Sequence, residues 1–305
     1  MSIFSKRTAR PKPRRLTFAL AEAGHTYDDG VTGLAPTSLT ISERRVAVIG
    51  LNGTGKSTLL GLLDGTLKAT CGSVTIAGSA DGSADGGERE SLDPASKRDM
   101  RRIDELIGRV RREEIPESFN RSENIADAVD VLLKKHRVPE SERQAIIGDL
   151  FAHFGLASAA KEPASALNGE QRHLLAIAAA LSLRPSCVVA DEPSKGLDEI
   201  GTAHVAKALF SYDTQVVFAT HDTDMIVRPE YAIERTLVLD DGAVAFDGTP
   251  ADAVTFYTDL VRRRYELLRC SRSSRGCRYG CRAMLGCDLS RAWPVPCRAP
   301  RRCHA

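Results

Sequence analysis

A chain of 305 residues, 42% of them hydrophobic, is long enough for one large or two ordinary domains and can bury a real core. It has no apolar run near the roughly 18 residues of a membrane-crossing helix, and no apolar region follows its basic start, so a cytosolic chain is expected rather than a membrane-spanning or secreted one. The formal net charge of +2 hides six Lys or Arg without an acid in residues 1–15 and twelve Arg against Glu266 and Asp288 in residues 262–305; such ends on an acidic body read as solvated, disordered arms, and nucleic acid is not expected as a partner.

From Leu16 the pattern is strand-like over 16–20 and 24–27, turns at Asp28-Asp29-Gly30 and resumes over 39–41, which predicts an antiparallel β layer. The run Val46-Ala47-Val48-Ile49 ends abruptly in Gly50-Leu51-Asn52-Gly53-Thr54-Gly55-Lys56-Ser57-Thr58 and passes into an apolar helical segment, 59–63. Gly50-x4-Gly55-Lys56-Ser57 in that strand-loop-helix setting is a phosphate-binding loop. Its glycines let backbone N–H groups turn toward one phosphate chain at the positive end of a helix. Lys56 supplies a point charge to the β- and γ-phosphates, and the Ser57 hydroxyl a ligand for Mg²⁺. Tyr27, on the preceding layer, is placed either to stack on the adenine of a bound nucleotide or simply to pack.

Another strand is predicted over 72–78, then a loop with a duplicated Gly-Ser-Ala-Asp over 78–87. Residues 97–112 read as a charged helix running into a strand, and 122–156 as helices broken near Pro139, a helical insertion in an α/β core. Leu167-Asn168-Gly169-Glu170-Gln171 precedes a helix over 172–183, with Asn168 or Gly169 capping. The apolar run 186–190 ends in Asp191-Glu192-Pro193, which puts two carboxylates at the carboxyl end of a strand, where open parallel sheets bind ligands. Asp191 would hold Mg²⁺ and Glu192 would polarise the attacking water. A helix over 201–210 follows, then Gln215 to Asp222, another buried strand ending in a polar cluster, where His221 is placed either to hydrogen-bond a γ-phosphate or to serve as a structural loop histidine.

Six of the eight cysteines lie between Cys270 and Cys303. Their spacing matches no compact pattern of paired C-x2-C units, so no zinc site is expected.

In order along the chain, Tyr27, the loop Gly50 to Thr58, Leu167 to Gln171, Asp191-Glu192, Ser194-Lys195-Gly196-Leu197-Asp198 and His221 resemble an ATP-binding cassette (ABC) ATPase over residues 16–262. The resemblance implies a P-loop NTPase core, a mainly parallel sheet with flanking helices, joined to an N-terminal antiparallel β layer and an α-helical subdomain at about 115–180. It implies ATP and Mg²⁺ as cofactors, integral membrane transport subunits as partners, and a position at the cytoplasmic face of the membrane. It also implies head-to-tail pairing with a second cassette. Asn168, Gly169 and Gln171 of the signature would then meet the partner's nucleotide, and Asp198 would communicate between the two sites. The segment 122–156, the finish Leu237 to Pro250 and the lack of a fused membrane segment are most similar to ATPases of energy-coupling factor importers for vitamins or metals.

Two departures stand out. Asn168 and Glu170 replace the family's Ser and second Gly; Asn can still donate a hydrogen bond to phosphate, whereas Glu170 adds a negative charge near a triphosphate unless it points away. Arg112 falls where a Gln is usual. They leave open an alternative, a nucleotide-binding module with weak or no hydrolysis that acts as a switch or as the degenerate half of a pair. The tail 263–305, rich in Arg, Cys and Pro, matches nothing in the family and is expected to be disordered.

Overall fold

The computed structural model describes residues 15–78, 90–111 and 114–273. Strands β1 (Leu16–Thr26) and β2 (Thr32–Ile41) form a hairpin around Asp28-Asp29-Gly30. Next come β3 (Arg45–Ile49), α1 (Lys56–Leu63), β4 (Cys71–Gly78), β5 (Glu90–Leu92), α2 (Lys97–Leu106) and β6 (Ile107–Arg111). Three helices follow, α3 (Ile125–Lys135), α4 (Glu140–His153) and α5 (Gly169–Leu181). The chain then alternates through β7 (Cys187–Asp191), α6 (Glu199–Ser211), β8 (Gln215–Ala219) and α7 (Thr223–Val227). It ends its described course in the hairpin β9 (Arg235–Asp240) and β10 (Ala243–Gly248) and the helix α8 (Pro250–Ser273).

The strands make two sheets. One is antiparallel, in the order β2-β1-β4-β5; the other runs β10-β9-β3-β8-β7-β6, parallel from β9 to β6 with β10 antiparallel at its edge. β3 is flanked by β8 and β9 and every residue of it is buried, which is why Val46 to Ile49, after Arg45, form an apolar run without alternation. β1 instead alternates, with Leu16, Phe18 and Leu20 turned inward. The core lies between the sheets and α1 fills it: Leu59, Leu60, Leu62 and Leu63 pack with Phe18 and Ile76 from one sheet and with Val48, Val189 and Val217 from the other. A helix enclosed on all sides needs no polar stripe, and α1 has none. Its N-terminus is thereby pinned at the carboxyl ends of β3, β7 and β8.

The expected α/β architecture is present, with some boundaries moved. α5 begins at Gly169, three residues ahead of the expected 172, because the Asn168 and Gln171 side chains cap it reciprocally. α6 begins at Glu199, ahead of the expected 201, since Asp198 caps it. β5 was not foreseen; it pairs with β4.

The chain divides into two compact units, Met1–Ala253 and Val254–Ala305. In the second, helix α8 continues past residue 262 to Ser273, where a disordered tail was expected; no Gly or Pro occurs from 251 to 275 to stop it. The basic arm 1–14, most of the Gly-Ser-Ala-Asp loop, Arg112 and the side chains of the C-terminal cysteines lie outside the described residues. Among the described residues, no helix is long and apolar enough to cross a membrane.

Candidate nucleotide-binding site

The loop from Gly50 to Gly55 is braced from behind. A Cβ on Gly50 would stand 2.4 Å from the Leu239 carbonyl oxygen, and one on Gly55 2.3 Å from that of Gly33. Gly55 also has φ +97°, a left-handed conformation that any side chain would strain. The close approaches fix the loop against β9 and β2 and leave Gly53 facing open space. Thr54 is 3% exposed and its hydroxyl donates to the Leu51 carbonyl at 2.8 Å, so it shapes the loop from inside.

Lys56 is 6% exposed, and its ammonium donates to the carbonyls of Gly50 at 2.8 Å and Leu51 at 3.0 Å. Burial pushes its pKa below the usual lysine range, against the pull of the Glu192 and Asp191 carboxylates. The Ser57 and Thr58 side chains follow at the start of α1, and the Tyr27 hydroxyl hydrogen-bonds Thr58 Oγ1 at 2.9 Å. Tyr27 is 38% exposed with its ring on the cleft, held edge-on by His25 with centroids 4.6 Å apart; it is therefore not a packed core residue.

β7 delivers Asp191 to the same cleft, and Glu192 follows with φ +53°, a conformation costly for a non-glycine residue. Its N–H donates to the Ala219 carbonyl at 3.0 Å, and its Oε1 lies 2.5 Å from His221 Nε2. Burial, then the Lys56 charge, holds His221 below the usual imidazole range, while Glu192 acts in the opposite direction. A neutral ring donating its Nε2–H to the carboxylate satisfies both.

The cleft of about 530 Å³ thus joins Tyr27, Asn52, Gly53, Gly55, Lys56, Ser57, Thr58, Asp191 and Glu192, with His221 against Glu192. The volume is that of a small-molecule site. The residues fit a magnesium nucleotide: a buried ammonium held only by carbonyls, loop glycines with no side chain in the way, and a hydroxyl and a carboxylate as hard oxygen ligands.

Asn168, Gly169, Gln171 and Asp198 do not line this cleft. Asn168 Oδ1 accepts from the Gln171 N–H at 2.8 Å, Gln171 Oε1 accepts from the Asn168 N–H at 3.1 Å, and Asp198 accepts from the Gly201 N–H at 2.8 Å. Glu170, which brings charge near a triphosphate unless it points away, reaches α6 and pairs with His204 Nδ1 at 2.8 Å. The sequence reading passed over two features of the cleft. One is the β2 edge at Val31 to Gly33, where no motif marks the residues; the other is Lys195, whose place three residues after Glu192 was the available signal.

The ABC transporter family profile matches residues 34–195. A putative ABC transporter ATP-binding protein of Deinococcus radiodurans is 31% identical over 242 residues, covering 79% of this chain and 97% of that one. The biotin transport ATP-binding protein BioM of Rhizobium etli is 27% identical over 234 residues, 75% of this chain and 92% of its own. Among solved structures, cbiO1 of Clostridium perfringens, part of the ABC transporter complex cbiONQ, superposes with a TM-score of 0.64 at 25% identity, covering 87% of this chain and 100% of that chain. The family match over half of the chain, together with the 31% identical relative, makes this chain a member of the ABC transporter family, an ATP-binding cassette that hydrolyses ATP with Mg²⁺.

Proposed function

We propose that this chain is the ATPase subunit of an importer for a vitamin or metal ion, working at the cytoplasmic face of the membrane with separate membrane subunits and a second cassette. The observation that carries the catalytic half is the meeting of Lys56, Ser57, Asp191, Glu192 and His221 at the carboxyl ends of three adjacent parallel strands. In this reading the N–H groups from Asn52 to Thr58 and the Lys56 ammonium hold the phosphates. Ser57 and Asp191 hold Mg²⁺, which when bound neutralises charge on the phosphate chain. Glu192 takes a proton from the attacking water, and His221 keeps that carboxylate in place beside the γ-phosphate. Tyr27 presents its ring to the base. The importer half is supported by similarity to BioM and to cbiO1.

Asn168, Gly169 and Gln171 are assigned to the nucleotide of the second cassette, which accords with their position off the cleft of their own chain. Asp198, capping α6, is assigned to communication between the sites. The domain we assign to this work spans 16–262, with the helical subdomain at about 115–180.

Glu192→Gln tests the proposal. A general base contributes roughly 10²- to 10⁴-fold, so steady-state hydrolysis should fall by at least about 100-fold while ATP still binds and traps a dimer on size-exclusion chromatography. Unchanged turnover would remove Glu192 from its role. Membrane proteins that co-purify in mild detergent identify the transport direction, and an export permease among them would overturn the importer assignment.

A further inference from the structure

Lys195 is a second lysine on the nucleotide cleft. It sits three residues beyond Glu192, and its backbone N–H donates to the Glu192 carbonyl at 3.1 Å, closing a turn that sets both side chains at the cleft. Its Nζ lies 3.5 Å from Glu192 Oε2, while the other oxygen of that carboxylate is taken by His221 at 2.5 Å. A seated charge-assisted N–H···O bond measures about 2.7–2.9 Å. The Lys195 contact is therefore an ion pair across a gap.

The two lysines of the cleft are held differently. Lys56 is buried and tied to two carbonyls, whereas the Lys195 side chain is 42% exposed on a flexible four-carbon stem with three donors to place. They are near enough to feel one another. After burial and the two carboxylates, the charge of Lys195 is a further influence on Lys56, and it contributes, behind burial, Lys56 and Glu192, at His221. The Lys195 ammonium thus lies within electrostatic reach of the place where the phosphates would meet Lys56. A triphosphate chain offers it more negative charge than the single carboxylate it faces.

We propose that Lys195 is a further phosphate-binding and positioning residue, whose ammonium pairs with Glu192 in the nucleotide-free cleft and turns to the phosphate chain of bound ATP, freeing Glu192 Oε2 for the attacking water. This rests on the reading of the cleft as the ATP site. No bond to Lys195 is made or broken; it moves a charge from base to substrate. The distal phosphate is the part of the nucleotide that Glu192 serves, so ATP should depend on Lys195 more than ADP does.

The test uses the full chain with Lys195→Met, which keeps the stem and removes the charge, and Lys195→Arg, which keeps the charge. Fluorescence titration with N-methylanthraniloyl-ATP and -ADP in the presence of Mg²⁺ should show ATP affinity about five- to tenfold weaker in Lys195→Met, a smaller loss for ADP, and recovery to within about twofold in Lys195→Arg. The loss should shrink as salt rises, as for a partly exposed charge. In turnover, KM for ATP should rise by a similar factor, with kcat changing less than about threefold. Lys195→Gln serves as a second neutral variant if the Met chain folds poorly. Unchanged ATP affinity, or a loss that arginine does not restore, overturns the proposal. Lys56→Ala run alongside separates the premise from the inference: if it binds ATP like the parent, the assignment of the cleft itself fails.

Discussion

His221 shows how one side chain joins fold stability to the chemistry. Burial and the Lys56 charge hold its pKa below the ordinary imidazole value of about 6.5. As pH falls through that value, the unfolded chain takes up a proton that the folded ring resists, so stability declines from there toward the folded pKa. Thermal unfolding between about pH 7.5 and 5.5 should show this fall in Tm, and His221→Gln, which keeps a donor for Glu192 but cannot titrate, should flatten part of it. An equal pH response in the two chains would mean that the ring takes up its proton folded as it does unfolded, and would remove the shift. The place of residues set by local chemistry was legible in the sequence: Lys56 and Ser57 follow glycines whose spacing between a strand and a helix fits a phosphate loop, and both line the cleft. The Glu170 side chain was not, because its direction is set by His204 on α6, 34 positions away, and not by its neighbours in the signature.

At the scale of elements, Gln215 holds the two sheets together. It is the first residue of β8 and 3% exposed; its Oε1 accepts from the Leu16 N–H at 3.1 Å, and its Nε2 donates to the carbonyls of Leu16 at 3.1 Å and Glu43 at 2.9 Å. One amide thus anchors the start of β1, in the antiparallel sheet, to a central strand of the other. Gln215→Leu fills a similar volume but leaves these backbone groups without their partner, at a cost of about 2–4 kcal/mol. Urea unfolding should register it as a lower midpoint at unchanged slope. The strands themselves were readable from apolar runs, but this link was not, since Gln at a strand start carries no periodic signal. β5 was missed for a related reason: only Leu92 of its residues is apolar, and the strand exists through its pairing with β4. The cap of α5 was legible at Asn168, one of the two residues expected there, but the helix was started at 172 because the capping-box pattern Asn168-x-x-Gln171, which puts Gln171 inside the first turn, was not used.

At the scale of the molecule, the placement of the signature makes a quantitative demand. Asn168 caps α5, Gly169 is its first residue, and both stay off the cleft of their own chain, so under the proposed head-to-tail pairing each working site takes its P-loop from one chain and its signature from the other. Lys56→Ala removes the first contribution and Gly169→Asp, which sets a carboxylate against the phosphates, removes the second. Each variant alone should be nearly inactive. Mixed in equal amounts with free exchange, half of the dimers contain one chain of each kind, and each such dimer regains one intact site of its two. Recovery should therefore approach about a quarter of the parent activity when the sites act independently, and fall below that when turnover at one needs the other. Absence of any recovery, with mixed dimers verified by affinity tags, would take the signature out of the partner's site and favour a cassette that works within one chain.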